Sequence, residues 1–397
     1  MLQQALILAG GRGTRLGPLT SNVPKPMLPV AGKPFLEHLI RNLCRYGIDR
    51  IVLSVGYLAD AFESHFGNGR SLGVSITYSR ETSLLGTGGG VRHALPLLED
   101  AFLVLNGDTL FDCNFLDLTL LLKPNVLAVL ALRHAHNISR YGSVGLDGDM
   151  VVEFSEKVQA EEGFINAGVY ALTRQAITLL PEGASSLETD LFPTLAAQGT
   201  LAARAYRGFF IDIGLPETLN IATHAIPEWQ HRPCIFFFST GLLEKGIGSK
   251  NWSENTPWTM DAIEAVKWCN DCGCLAIVIT NDAGIAREYI GETESRRHID
   301  RMQSELRRHG AHFDAAYSLP PRTAGQSDTC CVCSSRTPPM SILHQAIQEC
   351  TIDVSRSVLV IDKPSDFTTG ECCGVAKHTY LGGSLLAFVR QFVFERG

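Results

Sequence analysis

The chain has 397 residues, too long for one ordinary domain and enough for two or three, each with its own core. Apolar residues make up 45%, and 34 basic against 41 acidic side chains leave a net charge of −7. With no run of Lys or Arg, that balance argues against nucleic acid or an anionic membrane as the main partner. No apolar run approaches the roughly 20 residues of a membrane span, and the start MLQQALILAGG lacks the basic opening of a secretory signal. A cytoplasmic location is therefore expected.

The chain opens as strand, glycine loop, helix. Ala5–Leu8 is a short apolar run followed by Gly10, Gly11 and Gly13, the pattern of a buried parallel strand feeding a phosphate loop. Leu36, Leu39, Ile40 and Leu43 recur at helical spacing over Phe35–Tyr46, and Gly47 stops that helix. Ile51–Val55, Phe102–Leu105 and the run Val126–Leu132 read as core strands, the second ending in Asn106-Gly107-Asp108. Strands alternating with helices predict an α/β, Rossmann-like domain with a mostly parallel mixed sheet. Ligands in such sheets bind beyond the carboxyl ends of the strands, where the glycine loop and Asp108 meet.

Residues 1–226 form the first expected domain, 227–233 (with Pro227 and Pro233) a linker, and 234–397 a second α/β domain. The second begins with the strand Cys234–Phe238, the helix Thr259–Asp271 stopped by Gly273, and the strand Leu275–Thr280. Arg322–Ser335 reads as a loop and Val358–Ile361 as a buried strand ending at Asp362. Of the twelve cysteines, ten lie after position 233, which marks the change of identity along the chain. In a reducing compartment they are expected to be thiols.

The most informative stretch is LAGGRGTRLGPLTSNVPKPMLPVAGKP, Leu8–Pro34. Glycines at 10, 11 and 13 allow backbone N–H groups to approach phosphate oxygens, because no Cβ intervenes. Arg12 and Arg15 flank the loop, and Lys25 follows between two prolines. Backbone donors beside fixed cations suit a polyphosphate. With the later segments LLGTGGGV (84–91), LNGDTLF (105–111), VVEFSEK (151–157), INAGVY (165–170) and FIDIGLPETL (210–219), this run resembles the sugar-1-phosphate nucleotidyltransferases over roughly residues 3–225. One departure is Leu215, where that family carries Thr.

The resemblance implies transfer of a nucleotidyl group from a nucleoside triphosphate to a sugar 1-phosphate, with release of pyrophosphate and Mg²⁺ as cofactor. It implies catalytic roles for Arg15, Lys25 and Asp108, and metal ligation by Asp108 and Asp212. Nucleotide contacts would come from Leu8, Gly10, Gly11, Gly13, Thr14, Arg15, Glu81, Gly86 and Thr87. Contacts to the sugar phosphate would come from Gly142, Glu153, Lys157 and Asn166. The Leu85–Gly89 turn is most similar to the heptose 1-phosphate guanylyltransferase branch, which implies GTP; a glycine turn packed there for steric reasons alone would read the same. A homo-oligomer is also an expectation of the resemblance.

From Arg232 the chain resembles the haloacid-dehalogenase-type heptose bisphosphate phosphatases, through ITNDAGIARE (279–288) and SRSVLVIDKPSD (355–366). The departures fall on the chemistry. Phe238-Ser239-Thr240-Gly241 stands where that family has a nucleophilic Asp and an acid/base Asp, and phenylalanine forms no aspartyl-phosphate. Ser334-Ser335-Arg336 replaces its phosphate-binding Arg-Lys-Pro, although Asp362 and Asp366 remain. Its zinc loop is half present: Cys331 and Cys333 stay, while Leu319 and Pro321 replace the other ligands. Cys269, Cys272 and Cys274 invite a metal reading, but their helix and strand positions favour buried thiols. A catalytically inactive phosphatase-like domain without zinc is expected. The alternatives are a mannose 1-phosphate or other sugar nucleotidyltransferase, and a regulatory sugar-nucleotide-binding pseudoenzyme.

Overall fold

A computed structural model describes residues 2–136, 143–155, 162–238, 259–280, 292–318, 338–362 and 373–392. The chain divides into two compact units, Met1–Glu228 and Trp229–Gly397.

The first unit is built on strands β1 (Gln4–Leu8), β2 (Arg50–Val55), β3 (Ser75–Arg80), β4 (Ala101–Asn106), β5 (Thr109–Phe111), β6 (Ala128–His136), β7 (Ser143–Asp147), β8 (Met150–Ser155), β9 (Glu162–Thr173), β10 (Leu201–Ala205) and β11 (Phe210–Asp212). Nine of them form one sheet in the order β3-β2-β1-β4-β9-β6-β10-β8-β7. The side β3-β2-β1-β4 is parallel, as the alternation of strands and helices predicts. Beyond it the sheet is mixed: β9 runs antiparallel to both β4 and β6, and β6 pairs parallel with β10. Ala5, Leu6 and Ile7 are fully buried, as a strand covered on both faces requires. Helix α1 (Phe35–Arg45) ends where Gly47 enters the left-handed region at φ 68° and donates its N–H to Cys44 O.

The strand order reverses between β1 and β4, and their carboxyl ends deliver the loop after Leu8 and the pair Gly107-Asp108 to one crevice. Gly107 N donates to Leu8 O at 2.9 Å, and a Cβ on Gly107 would stand 2.6 Å from that same oxygen. Only glycine lets the two strand ends close to this distance.

Helix α3 (Pro216–Gln230) runs through the start of the expected linker, with Pro227 inside its last turn. A proline there forfeits one intrahelical hydrogen bond and leaves the turns before it intact. Extended chain begins only after the helix, and β12 (Cys234–Phe238) follows at once.

The second unit is an all-parallel, five-stranded sheet. Its strands are β12, β13 (Leu275–Thr280), β14 (Ala315–Ser318), β15 (Val358–Ile361) and β16 (Ala376–Thr379), in the order β14-β13-β12-β15-β16. Helix α4 (Met260–Asp271) starts at Thr259, whose side chain accepts from Ala262 N, and stops before Gly273 at φ 71°. Phe238 ends β12 fully buried, paired with Ile279 and Ile361, at the point where the order reverses. Asp362 follows β15 there, while Ser239–Gly241, Leu319, Pro321, the loop 322–335 with Cys331 and Cys333, Arg336 and Asp366 lie outside the described residues. Cys269 and Cys274 are buried core residues, and burial pushes the Cys269 thiol well above its ordinary range. Among the described residues no three His, Cys, Asp or Glu side chains gather as a metal-holding group, and no helix is long and apolar enough to cross a membrane.

Candidate active site

A cleft of about 530 Å³ opens over the carboxyl ends of β1 and β4. Its floor is the loop after β1. Gly13 adopts φ 64°, and a Cβ there would fall 3.0 Å from Lys25 Cβ and 3.1 Å from Thr20 Cγ2, so the loop rests on the stem of Lys25. Thr20 Oγ1 donates back to Gly13 O and ties down the segment Thr14–Thr20, two short turns kinked at Gly17, that carries Arg15. Gly11 has nothing within 4 Å of its Cβ position and faces open space.

Lys25 is 6% exposed, an unusual state for a lysine, and its Nζ is paired with Asp108 Oδ2. Asp212 reaches the same place through a short ladder. β11 pairs antiparallel with β5, setting Asp212 opposite Thr109, and Ile213 N donates to Asp108 O at 3.0 Å. Gly214 N in turn donates to Asp212 Oδ1. A Cβ on Gly214 would lie 2.5 Å from Asp212 Oδ1, 3.3 Å from Lys25 Nζ and 3.4 Å from Arg15 Nη2. Two cations and the Asp212 carboxylate therefore surround a single glycine, and Asp108 holds one of those cations. Burial first, and then the negative charge of Asp108, raises the Asp212 carboxyl above its usual range; Lys25 and Arg15 act against that shift. Two carboxylates brought together beside the cleft, where the charge of one opposes ionisation of the other, suit a hard divalent cation that shares phosphate oxygens.

Glu81, the residue after β3, sits at the other end of the cleft. Its Oε1 accepts from Ser54 Oγ at 2.6 Å and its Oε2 from Leu85 N at 3.4 Å. Gly10 and Gly90 each leave their Cβ positions 3.0 Å from Glu81 Oε1, so both glycines make room for this carboxylate. The Gly86-Thr87-Gly88-Gly89 run opens helix α2 (Gly86–Ala94) and packs against the segment 183–185. A Cβ on Gly86, already at φ 74°, would collide with Ser185 O, and Gly88 N donates to that same oxygen at 2.9 Å. These glycines are required by packing, whichever base the cleft takes. Gly86 and Thr87 also line the cleft, as do Leu8, Gly10, Gly11, Gly13, Thr14, Arg15, Lys25 and Asp108.

The residues expected on the sugar side are less concentrated. Asn166 lies on β9, where its Nδ2 donates to Tyr170 Oη at 2.9 Å and its Oδ1 accepts from Gly168 N at 3.0 Å. Glu153 is exposed on β8, and neither it nor Asn166 lines the cleft. Gly142 and Lys157 lie outside the described residues. Sequence reasoning missed Asn106, which lines the cleft, and Glu188, which accepts from Thr87 Oγ1 at 2.6 Å. The signal for Glu188 was a helix-start pattern: Ser186 caps the segment Leu187–Leu191 by accepting from Glu188 N and Thr189 N.

The nucleotidyl transferase family model matches residues 4–228. D-glycero-alpha-D-manno-heptose 1-phosphate guanylyltransferase of Campylobacter jejuni is 38% identical over 219 residues, 54% of this chain and 96% of that protein. Mannose-1-phosphate guanylyltransferase of Mycobacterium tuberculosis is 40% identical over 220 residues, 54% of this chain and 61% of that protein. Among solved structures, HddC from Yersinia pseudotuberculosis complexed with GMP-PN is 32% identical with a TM-score of 0.51, covering 57% of this chain and 100% of that one.

The raised affinity of Asp212 for its proton makes a stability prediction. The folded state holds that proton more tightly than the unfolded chain, so ionising Asp212 at neutral pH costs folding stability. Without added metal, Asp212→Asn should therefore melt above the wild type near neutral pH. The gap should close as the pH falls through the raised Asp212 range, where the wild-type carboxyl is itself protonated. Calorimetric melting across pH checks this; a variant that melts lower at every pH would mean that Lys25 and Arg15 outweigh burial and Asp108.

Proposed function

The chain belongs to the nucleotidyl transferase family, and from that premise we propose that it transfers GMP from GTP to a sugar 1-phosphate, with D-glycero-α-D-manno-heptose 1-phosphate as the acceptor, giving GDP-heptose and pyrophosphate. The observation that carries the transfer chemistry is the gathering of Arg15, Lys25 and Asp212 around Gly214, with Asp108 held on the Lys25 ammonium.

In this reading a phosphate oxygen of the sugar 1-phosphate attacks the α-phosphorus of the nucleotide. A new P–O bond forms, the bond from the α-phosphorus to the bridging oxygen breaks, and that oxygen leaves with pyrophosphate. No protein nucleophile takes part. Backbone N–H groups of the Gly10–Gly13 loop hold phosphate oxygens, Arg15 and Lys25 carry the positive charge set against the reacting phosphates, and the Asp108 contact fixes the Lys25 ammonium. Asp108 and Asp212 would hold Mg²⁺, which neutralises charge on the triphosphate.

The base preference rests on Glu81. Guanine presents N1–H and N2–H side by side, two donors that match the two acceptors of a carboxylate. Uracil and thymine offer one N–H between two carbonyls, so a carboxylate gains one bond and meets an oxygen it repels. The heptose preference draws on the Campylobacter jejuni relative, matched over nearly its full length. It also draws on the likeness of residues 232–394 to phosphatases that make sugar 1-phosphates. The similarity to the mannose-1-phosphate guanylyltransferase supports mannose 1-phosphate as a second acceptor.

The second unit is proposed to be a phosphatase-like domain without phosphatase activity, because the strand end that would carry the nucleophile holds the buried Phe238. Orthophosphate release from heptose 1,7-bisphosphate by the purified chain should be absent; detectable release would overturn the assignment.

Replacing Glu81 by Gln tests the base reading. A well-formed bidentate pair is worth about 1–3 kcal/mol of discrimination. Glu81→Gln should therefore lower kcat/KM for GTP by about 10–100-fold and raise the UTP-to-GTP ratio. An unchanged ratio would remove Glu81 from base recognition.

A further inference from the structure

Glu188 is the meeting point of three hydroxyls. Its Oε2 accepts from Thr87 Oγ1 at 2.6 Å and from Ser186 Oγ at 2.8 Å, and its Oε1 accepts from Tyr170 Oη at 3.4 Å. Tyr170 is fully buried, and its oxygen is the acceptor for Asn166 Nδ2. Asn166 is held from its other end by Gly168 N, at the bulge where β9 loses register with β6. On the opposite side, Thr87 Oγ1 accepts from Leu187 N at 2.9 Å. The Leu85–Gly89 turn is clasped to the same segment: Ser185 N donates to Leu85 O, and Gly88 N and Gly89 N donate to Ser185 O. Leu85 N, in that turn, also holds Glu81 Oε2.

The result is an unbroken polar chain, Asn166–Tyr170–Glu188–Thr87, that continues through one turn of backbone to Glu81. Tyr170 has a single proton to give. Its direction towards Glu188 is set by Asn166, which occupies the tyrosine oxygen as an acceptor. A ligand that fixes Asn166 therefore fixes the Tyr170 hydroxyl, and with it one of the bonds that orders Glu188 and the Thr87 turn. Hydrogen bonds in such a chain polarise one another, and a site ordered by one ligand costs less to order for the next.

We propose that Glu188 is a positioning residue that couples the Glu81–Thr87 side of the cleft to Asn166, so that nucleotide and sugar 1-phosphate each raise the other's affinity. This rests on the proposed function, which puts the base at Glu81, and on the roles that the family resemblance implies for Thr87 at the nucleotide and Asn166 at the sugar phosphate. The coupling is reciprocal by linkage.

The test is calorimetric titration of the full chain with Mg²⁺. The probes are D-glycero-α-D-manno-heptose 1-phosphate and guanosine 5′-(α,β-methylene)triphosphate, whose methylene bridge prevents turnover. In the wild type, the nucleotide analogue should tighten sugar phosphate binding by about fivefold or more. Tyr170→Phe cuts the chain but leaves the Thr87 and Ser186 bonds, and Glu188→Gln alters its centre. In both variants the coupling factor should fall towards one while each ligand alone still binds. Ser186→Ala removes a cap and one Glu188 bond outside the chain; it should lower the melting temperature and keep the coupling. Coupling that persists in Tyr170→Phe and Glu188→Gln, or that Ser186→Ala abolishes equally, would overturn the proposal, as would independent binding in the wild type. If neither probe binds the wild type, the reading of the site falls, and the coupling with it.

Discussion

The contact between Lys25 and Asp108 is the constraint on which the first unit is organised. A lysine this deeply buried needs a carboxylate, and each partner is delivered by a different piece of backbone that glycine alone permits. Gly13 lets the loop after β1 lie on the lysine stem, and Gly107 lets β4 close on Leu8 so that Asp108 arrives at the ammonium. The price of assembling these charges shows at Asp212, where burial and Asp108 oppose ionisation. A structure that served stability alone would replace such a cluster with apolar side chains. Charge held ready before substrate arrives is what electrostatic catalysis needs, since little reorganisation is left for the moment of reaction.

The other end of the cleft follows a different rule. There the glycines of the 86–90 run serve packing, letting segment 183–185 press against the turn and leaving Glu81 the space it occupies. Thr87 and Glu188 then join that turn to the interior of the sheet through Tyr170. The Lys25–Asp108 side is thus governed by charge and the Glu81 side by close approach and hydrogen bonding. β1, β4 and the short β5–β11 ladder hold the first, while α2, the 183–188 segment and β9 hold the second.

Much of this was legible in the amino-acid sequence. Short apolar runs gave the positions of β1, β2, β4, β12, β13 and β15, because strands buried on both faces are apolar throughout. Gly47 and Gly273 marked helix ends because both occupy the left-handed region. The Leu8–Pro34 run led to the phosphate end of the site, whose residues are close together in sequence or at strand ends. What was not legible depends on long-range contacts. Asp212 meets Asp108 only through the pairing of β5 with β11, a hundred residues apart in order of magnitude. The antiparallel β9 enters the sheet beside β4, which no local pattern announces. Pro227 read as a chain break, yet a helix tolerates it in its last turn. The LGTGG turn allowed a base-specific and a steric reading alike, and its neighbours show the steric need, which is the same for any base.

The central claim is that this cleft joins a nucleotide to a sugar phosphate. Phosphorus NMR of the full chain with GTP, Mg²⁺ and heptose 1-phosphate tests it most directly. The account predicts that the triphosphate signals give way to free pyrophosphate and a sugar–nucleotide diphosphate in equal amounts, only when the sugar phosphate is present. Orthophosphate in place of pyrophosphate, or a GTP spectrum unchanged with heptose and mannose 1-phosphates alike, would contradict it.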